Sequence, residues 1–206
     1  MILDIVQAGD PVLRRPARPL VAGEIDTPFV QELIASMRQT MYAAPGVGLA
    51  APQVGEGLQV LVMEDGPQSM GTMSPARCQE LDRRPLPFTV LVNPVVEPIG
   101  DDVVEFFEGC LSVTGYSGLV RRWRAVRVHA LDHTGRAVEM DLAGWPARIV
   151  QHESDHLAGA LYVDRMDPRS YTTNANLGRF WKARPPAEVR ETIGAGTDLW
   201  PALRSR

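Results

Sequence analysis

A length of 206 residues, with 45% hydrophobic and 22% charged residues, is typical of one ordinary domain with a real core, or of a domain with a tail. The net charge of −4 does not indicate nucleic-acid binding, and no apolar stretch is long enough to cross a bilayer. Two cysteines, Cys78 and Cys110, are too few for a disulfide framework, and no signal-peptide pattern is visible, so we expect a cytoplasmic protein without membrane attachment.

The N-terminal half begins with a predicted short apolar strand, followed by a turn at Gly9-Asp10-Pro11. Residues 28–44 predict an amphipathic helix, because their apolar side chains recur at helical spacing. Pro45-Gly46 then ends the helix.

The middle of the chain has the pattern of strands joined by turns. Residues 58–64 and 88–99 predict strands. Between them, residues 65–87 are rich in Gly, Pro, Ser and charge, and predict a long exposed loop. Residues 124–142 predict a hairpin that turns at His133-Thr134-Gly135.

A second helix is predicted from Pro146 to Ala158, since proline suits the first helical position and Gly159 suits the position after the end. Residues 174–206 are mixed, with a terminal helix expected and Pro185-Pro186 breaking it. The order of elements predicts an α+β fold, in which mostly antiparallel strands pack around this central helix, with an N-terminal helix and a C-terminal tail.

The segment QHESDHLAG, residues 151–159, places a His-Glu-x-x-His pattern on the predicted second helix. His152 and His156 lie four residues apart, on one helix face, and can both reach a single metal ion. Glu153 lies about 100° around the axis and can reach a metal-bound water without being a ligand. A hydrolytic metal needs three protein ligands and an open position, so one ligand is missing from this segment.

Known peptidase patterns do not supply the missing ligand. The metzincin pattern would require histidine where Tyr162 stands, and no glutamate occurs between Glu153 and Glu188. Asp155, Asp164 and Asp167 remain possible in principle, although Asp155 lies on a different helix face from the two histidines. His129 and His133 fall in hairpin sequence, where a spacing of four has no helical meaning, and we interpret them as surface or hairpin residues.

Cys110, in the segment EGCLS, is the better candidate for the third ligand. Taken alone, a cysteine between glycine and leucine at a strand end is usually a small buried apolar residue. Beside a helix that lacks one ligand, its thiolate would complete a Cys-His-His site with water in the fourth position.

The segment GVGLAAPQVG, residues 46–55, matches the dinucleotide pattern G-x-G-x-x-A, but its context argues against that function. The pattern must follow a strand and open a helix, whereas here a helix precedes it and Pro52 stands where the new helix should run. We predict instead a loop whose glycines let a ligand approach the backbone. Gln53 offers an amide NH₂ that can donate to a developing oxyanion.

These three segments, in this order and at these separations, resemble the signature motifs of the peptide deformylase family, and GDPVLR near the N-terminus resembles it too. The resemblance covers residues 2 to about 168. It implies removal of the formyl group from the N-terminal formylmethionine of new bacterial or organellar proteins, with release of formate. We expect a catalytic domain over residues 1–168 and a partly helical extension over residues 169–206, packed on that domain or trailing from it.

The resemblance implies a metal held by Cys110, His152 and His156, with Glu153 as general base and acid. A thiolate suits iron(II), zinc, nickel or cobalt, and the resemblance favours iron(II). The expected partners are formylmethionyl nascent peptides. The C-terminal part from Arg165 onward is basic, which is compatible with contact to the ribosome near its exit tunnel, although a solvated tail is the favoured interpretation. No DNA is expected.

The resemblance also implies that Gln53 and the backbone N–H of Leu111 stabilise the oxyanion. Glu108 is expected to steady the loop that carries Cys110, and Val47 and Ile149 to form an apolar pocket for methionine. The residues expected to line or support the substrate groove are Gly46, Val47, Gly48, Glu108 and Gly109.

Other positions near the motifs carry weaker expectations. Gln151 and Asp155 are expected to make supporting hydrogen bonds. Arg148 either pairs with an acid or borders the groove. Thr114 stands where many family members have proline, which predicts a less rigid loop, and Cys78 matches no motif.

Two other functions are compatible with the residues themselves. One is an endopeptidase that uses the His-Glu-x-x-His pattern, against which the tyrosine at position 162 argues. The other is a non-catalytic binding protein that kept the fold, against which the intact ligand positions and Glu153 argue.

Overall fold

The structure is a computed structural model and describes residues 1–21, 23–66 and 73–194. Its helices are α1 (Pro28–Ala43), α2 (Pro75–Glu80), α3 (Trp145–Leu157), α4 (Asn174–Asn176) and α5 (Pro186–Ile193). Its strands are β1 (Gly48–Ala50), β2 (Val60–Asp65), β3 (Leu86–Pro98), β4 (Val103–Cys110), β5 (Val113–Trp123), β6 (Ala125–Leu131), β7 (Ala137–Ala143) and β8 (Thr172–Thr173). Within these ranges, no helix has the length and apolar character that a membrane span requires.

The strands form two antiparallel sheets. One has five strands in the order β1-β2-β3-β6-β7, and the other has three in the order β4-β5-β8. The predicted mixture of helices and antiparallel strands is confirmed. The hairpin predicted over residues 124–142 is also confirmed, as β6 and β7.

The five-stranded sheet lies between two helices because its central strands are apolar on both faces. Successive side chains of a strand point to opposite faces. On β2, Val60 and Val62 pack in the cluster that includes the buried face of α1, whereas Leu61 and Met63 pack in the cluster that includes α3. The apolar face predicted for α1 is buried as expected, with Met37 fully inaccessible to solvent.

The prediction of a strand over the first eight residues is wrong. Their backbone groups bond irregularly, so that the Val6 N–H donates to the Gln53 carbonyl at 2.9 Å and the Ala8 N–H to the Ser112 carbonyl at 2.7 Å. The Leu3 N–H donates to the Thr40 hydroxyl. The chain then turns at Gly9, whose φ is +110°. The N-terminal segment therefore crosses several elements instead of joining a ladder.

The predicted loop over residues 65–87 contains the short helix α2, so that prediction is wrong over Pro75–Glu80. Ser74 caps α2, because its hydroxyl accepts a hydrogen bond from the Arg77 N–H. The half-buried Cys78 lies on this helix. Residues 67–72 of the predicted loop lie outside the described residues.

The C-terminal prolines have a different effect from the one predicted. Pro186 occupies the first position of α5 and so begins a helix, as the fixed φ of proline allows. Val189 of α5 is buried, and Arg190 makes a two-pronged ion pair with Glu105 of β4, at 2.7 and 2.8 Å. This helix packs on the three-stranded sheet, and residues 195–206 lie outside the described residues.

Truncation of Met37 tests the packing of α1 on the sheet. The Met37→Ala variant leaves a cavity in the core and should lower the free energy of unfolding by about 2–5 kcal/mol. Glu32→Ala, on the exposed face of the same helix, should change it by less than about 0.5 kcal/mol. Urea denaturation measures both, and equal effects would contradict this packing.

Candidate metal centre

Helix α3 carries the His-Glu-x-x-His pattern into the interior of the protein. Gly144, with φ +64°, precedes the helix, and a Cβ there would lie 2.6 Å from the Asp82 carbonyl oxygen, so glycine is required. Pro146 lies in the first turn, as predicted. The helix is buried along most of its length, and His156 is fully inaccessible to solvent.

Cys110 lies beside the two helix histidines. It ends β4, where the pairing with β5 shifts register between Gly109 and Cys110. The Cys110 Sγ is 3.3 Å from the His156 Nε2, and one ligand atom from each of Cys110, His152 and His156 lies within 4.8 Å of the others. The structure thus brings the three predicted ligands together.

The other ligand candidates lie elsewhere in the described part of the chain. Asp155 points to two arginines, with its Oδ2 2.6 Å from Arg122 and 2.7 Å from Arg165. His129 of β6 pairs with Glu139 of β7, at the far edge of the five-stranded sheet. None of the alternative aspartates or histidines joins the described cluster.

The two helix histidines differ in their affinity for protons. Burial lowers the pKa of His156, the charges of His152 and Arg122 lower it further, and the result lies well below the ordinary value. At His152 burial also acts to lower the pKa, but hydrogen bonds with Cys110 and Glu108 outweigh it and raise the pKa well above the usual range. His156 is therefore neutral, as a metal ligand must be, whereas metal binding at His152 would displace a proton.

Glu108 is the centre of a buried ion-pair network behind the cluster. Its two oxygens accept from the Arg122 Nε and Nη2, both at 2.9 Å, and from Arg148. Its Oε2 is also 2.9 Å from the His152 Nδ1. Burial alone would raise the pKa of Glu108, but Arg122 and Arg148 hold it well below its ordinary value, so the carboxylate is charged.

This network orients His152. With Nδ1 engaged by the Glu108 carboxylate, the Nε2 of His152 remains as the ligand atom, an arrangement common at protein metal sites. Arg148 both pairs with this acid and lines the adjacent cavity. The expected supporting bonds are also present, since the Gln151 side chain bonds both the N–H and the carbonyl of Trp123.

Glu153 is buried beside the cluster and close to Gly48. A Cβ added at Gly48 would lie 2.8 Å from the Cγ and Cδ of Glu153, so the absence of a side chain at Gly48 makes room for this carboxylate. The Glu153 Oε2 has no hydrogen-bond partner among the described residues. Burial raises the pKa of Glu153 to about 7.

Gln53 is held with its amide NH₂ directed at the cluster. Its Oε1 accepts from the Ala50 N–H at 2.8 Å, and its Nε2 is 3.5 Å from the Cys110 Sγ and 3.4 Å from the Ser112 Oγ. The predicted loop over residues 46–55 is only partly a loop, because β1 is an edge strand paired with β2 and a 3₁₀ turn comes directly after it.

A cavity of about 420 Å³ opens beside the cluster. The residues singled out from the sequence that line it are Gly46, Val47, Gly48, Gln53, Glu108, Gly109, Cys110, Leu111, Arg148, Ile149, His152 and Glu153. The lining also includes Phe107, Trp145 and Asn174, which the sequence did not single out. Phe107 adjoins the segment EGCLS and Trp145 adjoins the predicted second helix, whereas no local pattern points to Asn174.

Thr114 is tethered to the N-terminal segment. Its hydroxyl donates to the Gln7 Oε1 at 2.9 Å, and the Gln7 Nε2 donates to the Leu111 carbonyl at 3.0 Å. Gln7 therefore bridges both ends of the loop after Cys110. The sequence offered no signal for this contact, because the residues lie 107 positions apart.

A cysteine sulfur, two imidazoles and a buried carboxylate with one oxygen unbonded within the described residues meet at one cavity, and they define a metal-dependent hydrolase as the class of protein. The particular family is given by comparison with known proteins. The family model for polypeptide deformylase matches residues 2–171, and the chain belongs to that family.

Relatives and solved structures agree with this membership. Peptide deformylase 1 of Streptomyces coelicolor is 50% identical over 93% of this chain and 86% of its own length. The human mitochondrial peptide deformylase is 41% identical over 82% of this chain and 69% of its own length. A class I type b peptide deformylase from Acinetobacter baumannii, with Met-Ala-Ser bound, has a TM-score of 0.71 at 34% identity, covering 81% of this chain and 99% of that one.

The activity of this family is the metal-dependent removal of the formyl group from the N-terminal methionine of nascent proteins. This chain is accordingly a hydrolase that acts on formylated nascent peptides. The membership decides against both the endopeptidase and the non-catalytic binding protein.

Removal of the Glu108 carboxylate tests the ion-pair network. Glu108→Ala removes the carboxylate that the buried Arg122 and Arg148 share, and of the two only Arg122 keeps a second ion-pair partner among the described residues, Asp155, so the free energy of unfolding should fall by about 3–5 kcal/mol. The matched control is Glu139→Ala, which removes an exposed carboxylate and should cost less than about 1 kcal/mol. Equal losses in urea denaturation would show that the network is not a stabilising element.

Proposed function

We propose that the cavity beside Cys110, His152 and His156 is the deformylation site of this chain, and that these three side chains hold its metal. The observation that carries this proposal is the convergence of one sulfur and two imidazole nitrogens within 4.8 Å, next to a buried carboxylate. We further propose that α3, which contributes two of the ligands and Glu153, is the central element of a catalytic domain over residues 1–168.

The ligand geometry fits a divalent metal. A metal in a tetrahedral site would need its sulfur and nitrogen ligand atoms roughly 3.5 Å apart, and the Cys110 Sγ lies 3.3 Å from the His156 Nε2. The donor set suits iron(II), zinc, nickel or cobalt, of which we propose iron(II). A bound metal supplies an activated water and polarises the formyl oxygen.

Glu153 is proposed to carry the proton through the reaction. Its carboxylate accepts a proton from the attacking water and delivers it to the nitrogen of the methionine as the carbon–nitrogen bond breaks. Formate and a free amine result. The support for this role is that Glu153 faces the cavity, is buried, and has one oxygen without a protein partner among the described residues.

Gln53 and the backbone N–H of Leu111 are proposed to stabilise the tetrahedral oxyanion. The Gln53 amide is oriented in advance, because its oxygen is fixed by the Ala50 N–H and its nitrogen is near the Cys110 Sγ. Donors held in place in this way need no reorganisation when the charge develops.

The substrate groove is proposed to be formed by Gly46, Val47 and Gly48 on one side and by Gly109 on the other. All four line the cavity. Glu108 also borders the cavity, but its carboxylate is bonded to arginines and to His152. We therefore propose that Glu108 positions the metal ligand His152. The methionine side chain is proposed to pack against Val47 and Ile149.

The C-terminal extension over residues 169–206 is proposed to contact the ribosome near its exit tunnel, in the cytoplasm. The exposed Lys182 fits such a role, and so does Arg184, whose ion pair with Glu188 at 3.2 Å lies at the surface. Arg190 does not, because it is bonded to Glu105. Truncation after residue 170 should weaken cosedimentation with ribosomes, and unchanged cosedimentation would contradict this part of the proposal.

Replacement of Glu153 tests the proposed proton carrier. Glu153→Gln keeps the size of the side chain but cannot accept the proton, so formate release from formyl-Met peptides should fall by about 100- to 10,000-fold. The metal content should stay unchanged, since Glu153 is not a proposed ligand. Glu139→Gln, at an exposed site, should keep the wild-type rate, and a metal-loaded Glu153→Gln enzyme with wild-type turnover would refute the assignment.

A methyl group at Gly48 tests the fit between β1 and Glu153. Gly48→Ala should displace the Glu153 side chain and lower kcat by about 10- to 100-fold. The matched control is Gly57→Ala, because a Cβ at Gly57 meets nothing within 4 Å. Steady-state formate release measures both variants, and equal kcat values would show that the glycine is not needed there.

A further inference from the structure

The cavity has a wall residue, Asn174, that lies beyond the residues matched by the family model. Two contacts place it there. Strand β8 pairs with β5, with Thr172 opposite Ser117 and Thr173 opposite Tyr116. The rings of Tyr116 and Tyr171 also stack, with centroids 4.9 Å apart and planes within 7°. Asn174 comes directly after β8, so its position is set by the sheet.

The amide of Asn174 is oriented by Ser117. The buried Ser117 hydroxyl donates to the Asn174 Oδ1 at 2.8 Å, which turns the acceptor end of the amide toward β5. The NH₂ end is therefore directed away from β5, and no described side chain or backbone group accepts a hydrogen bond from it. Asn174 is exposed and lines the cavity, so its NH₂ is available to donate to a ligand bound there.

The sheet sets which part of a substrate Asn174 can reach. Ser117 pairs with Gly109, the residue before Cys110. Because β5 lies between β4 and β8, these two strands are two strand spacings apart, or roughly 10 Å. An extended peptide advances about 3.3 Å per residue, so about three residues span this distance. With the formyl group at the metal ligands, Asn174 faces the chain one or two residues after the methionine.

We propose that Asn174 is a specificity-determining residue, whose amide NH₂ donates to a backbone carbonyl of the substrate one or two residues after formylmethionine. The ligand it selects is an extended peptide, because formylmethionine alone ends before this point. The inference rests on the proposed function of the cavity.

The test compares a long and a short substrate, formyl-Met-Ala-Ser and formylmethionine amide. Asn174→Ala and Asn174→Asp should each raise KM for the long substrate about three- to tenfold, the effect of one lost hydrogen bond, and leave its kcat within about twofold. Both variants should keep wild-type constants with the short substrate. Asn174→Asp is informative because its carboxylate still accepts from Ser117 but cannot donate.

Asn176→Ala is the matched control, an asparagine on the same helical turn that does not line the cavity. It should behave as wild type with both substrates. An unchanged KM for the long substrate in the two Asn174 variants would overturn the proposal. So would an equal rise with both substrates, since that would indicate a structural role.

A separate measurement distinguishes this inference from the proposed function. If the wild-type chain released no formate from either substrate, the proposed function would fail. Calorimetric binding of the product peptide Met-Ala-Ser would still test Asn174, with a Kd about three- to tenfold weaker in Asn174→Ala expected and an equal Kd contradicting the proposal.

Discussion

The ion pairs of Glu108 are the interaction on which the rest of the site depends. A buried carboxylate is tolerated only when it is paired, and its partners come from β5 through Arg122 and from α3 through Arg148. The same carboxylate contacts the Nδ1 of His152. The Glu108 carboxylate therefore joins the three-stranded sheet to α3 and fixes the orientation of His152. Glu108 itself lies two residues before Cys110 on β4.

The parts of the fold that were predictable are those with a local signal. Helical spacing and helix-start residues located α1 and α3 to within one residue at each end. The His-Glu-x-x-His pattern, together with a cysteine in a recognisable segment, pointed to the three side chains that the structure brings together. Each of these signals depends only on residues close together in the sequence, so it can be recognised without the structure.

The parts that were not predictable depend on contacts between distant residues. The N-terminal segment is apolar, yet its backbone N–H groups donate to the carbonyls of Gln53 and Ser112 and do not pair with a strand. No local pattern in the sequence reveals these hydrogen bonds. Arg122 and Asn174 lie outside the recognised segments, yet one neutralises Glu108 and the other lines the cavity. Helix α2 is a different case, because Ser74 followed by proline is an ordinary helix start. The polar residues around it favoured a loop instead, and the helix was not predicted.

We propose that formate release depends on a metal held by Cys110, His152 and His156. The most direct test is the metal content of the chain purified without oxygen, measured together with its rate of formate release before and after chelation. If these side chains hold the metal, the chain should contain about one divalent ion, lose activity on chelation and recover it when iron(II) is restored. A metal-free chain that released formate at the undiminished rate would contradict the proposal.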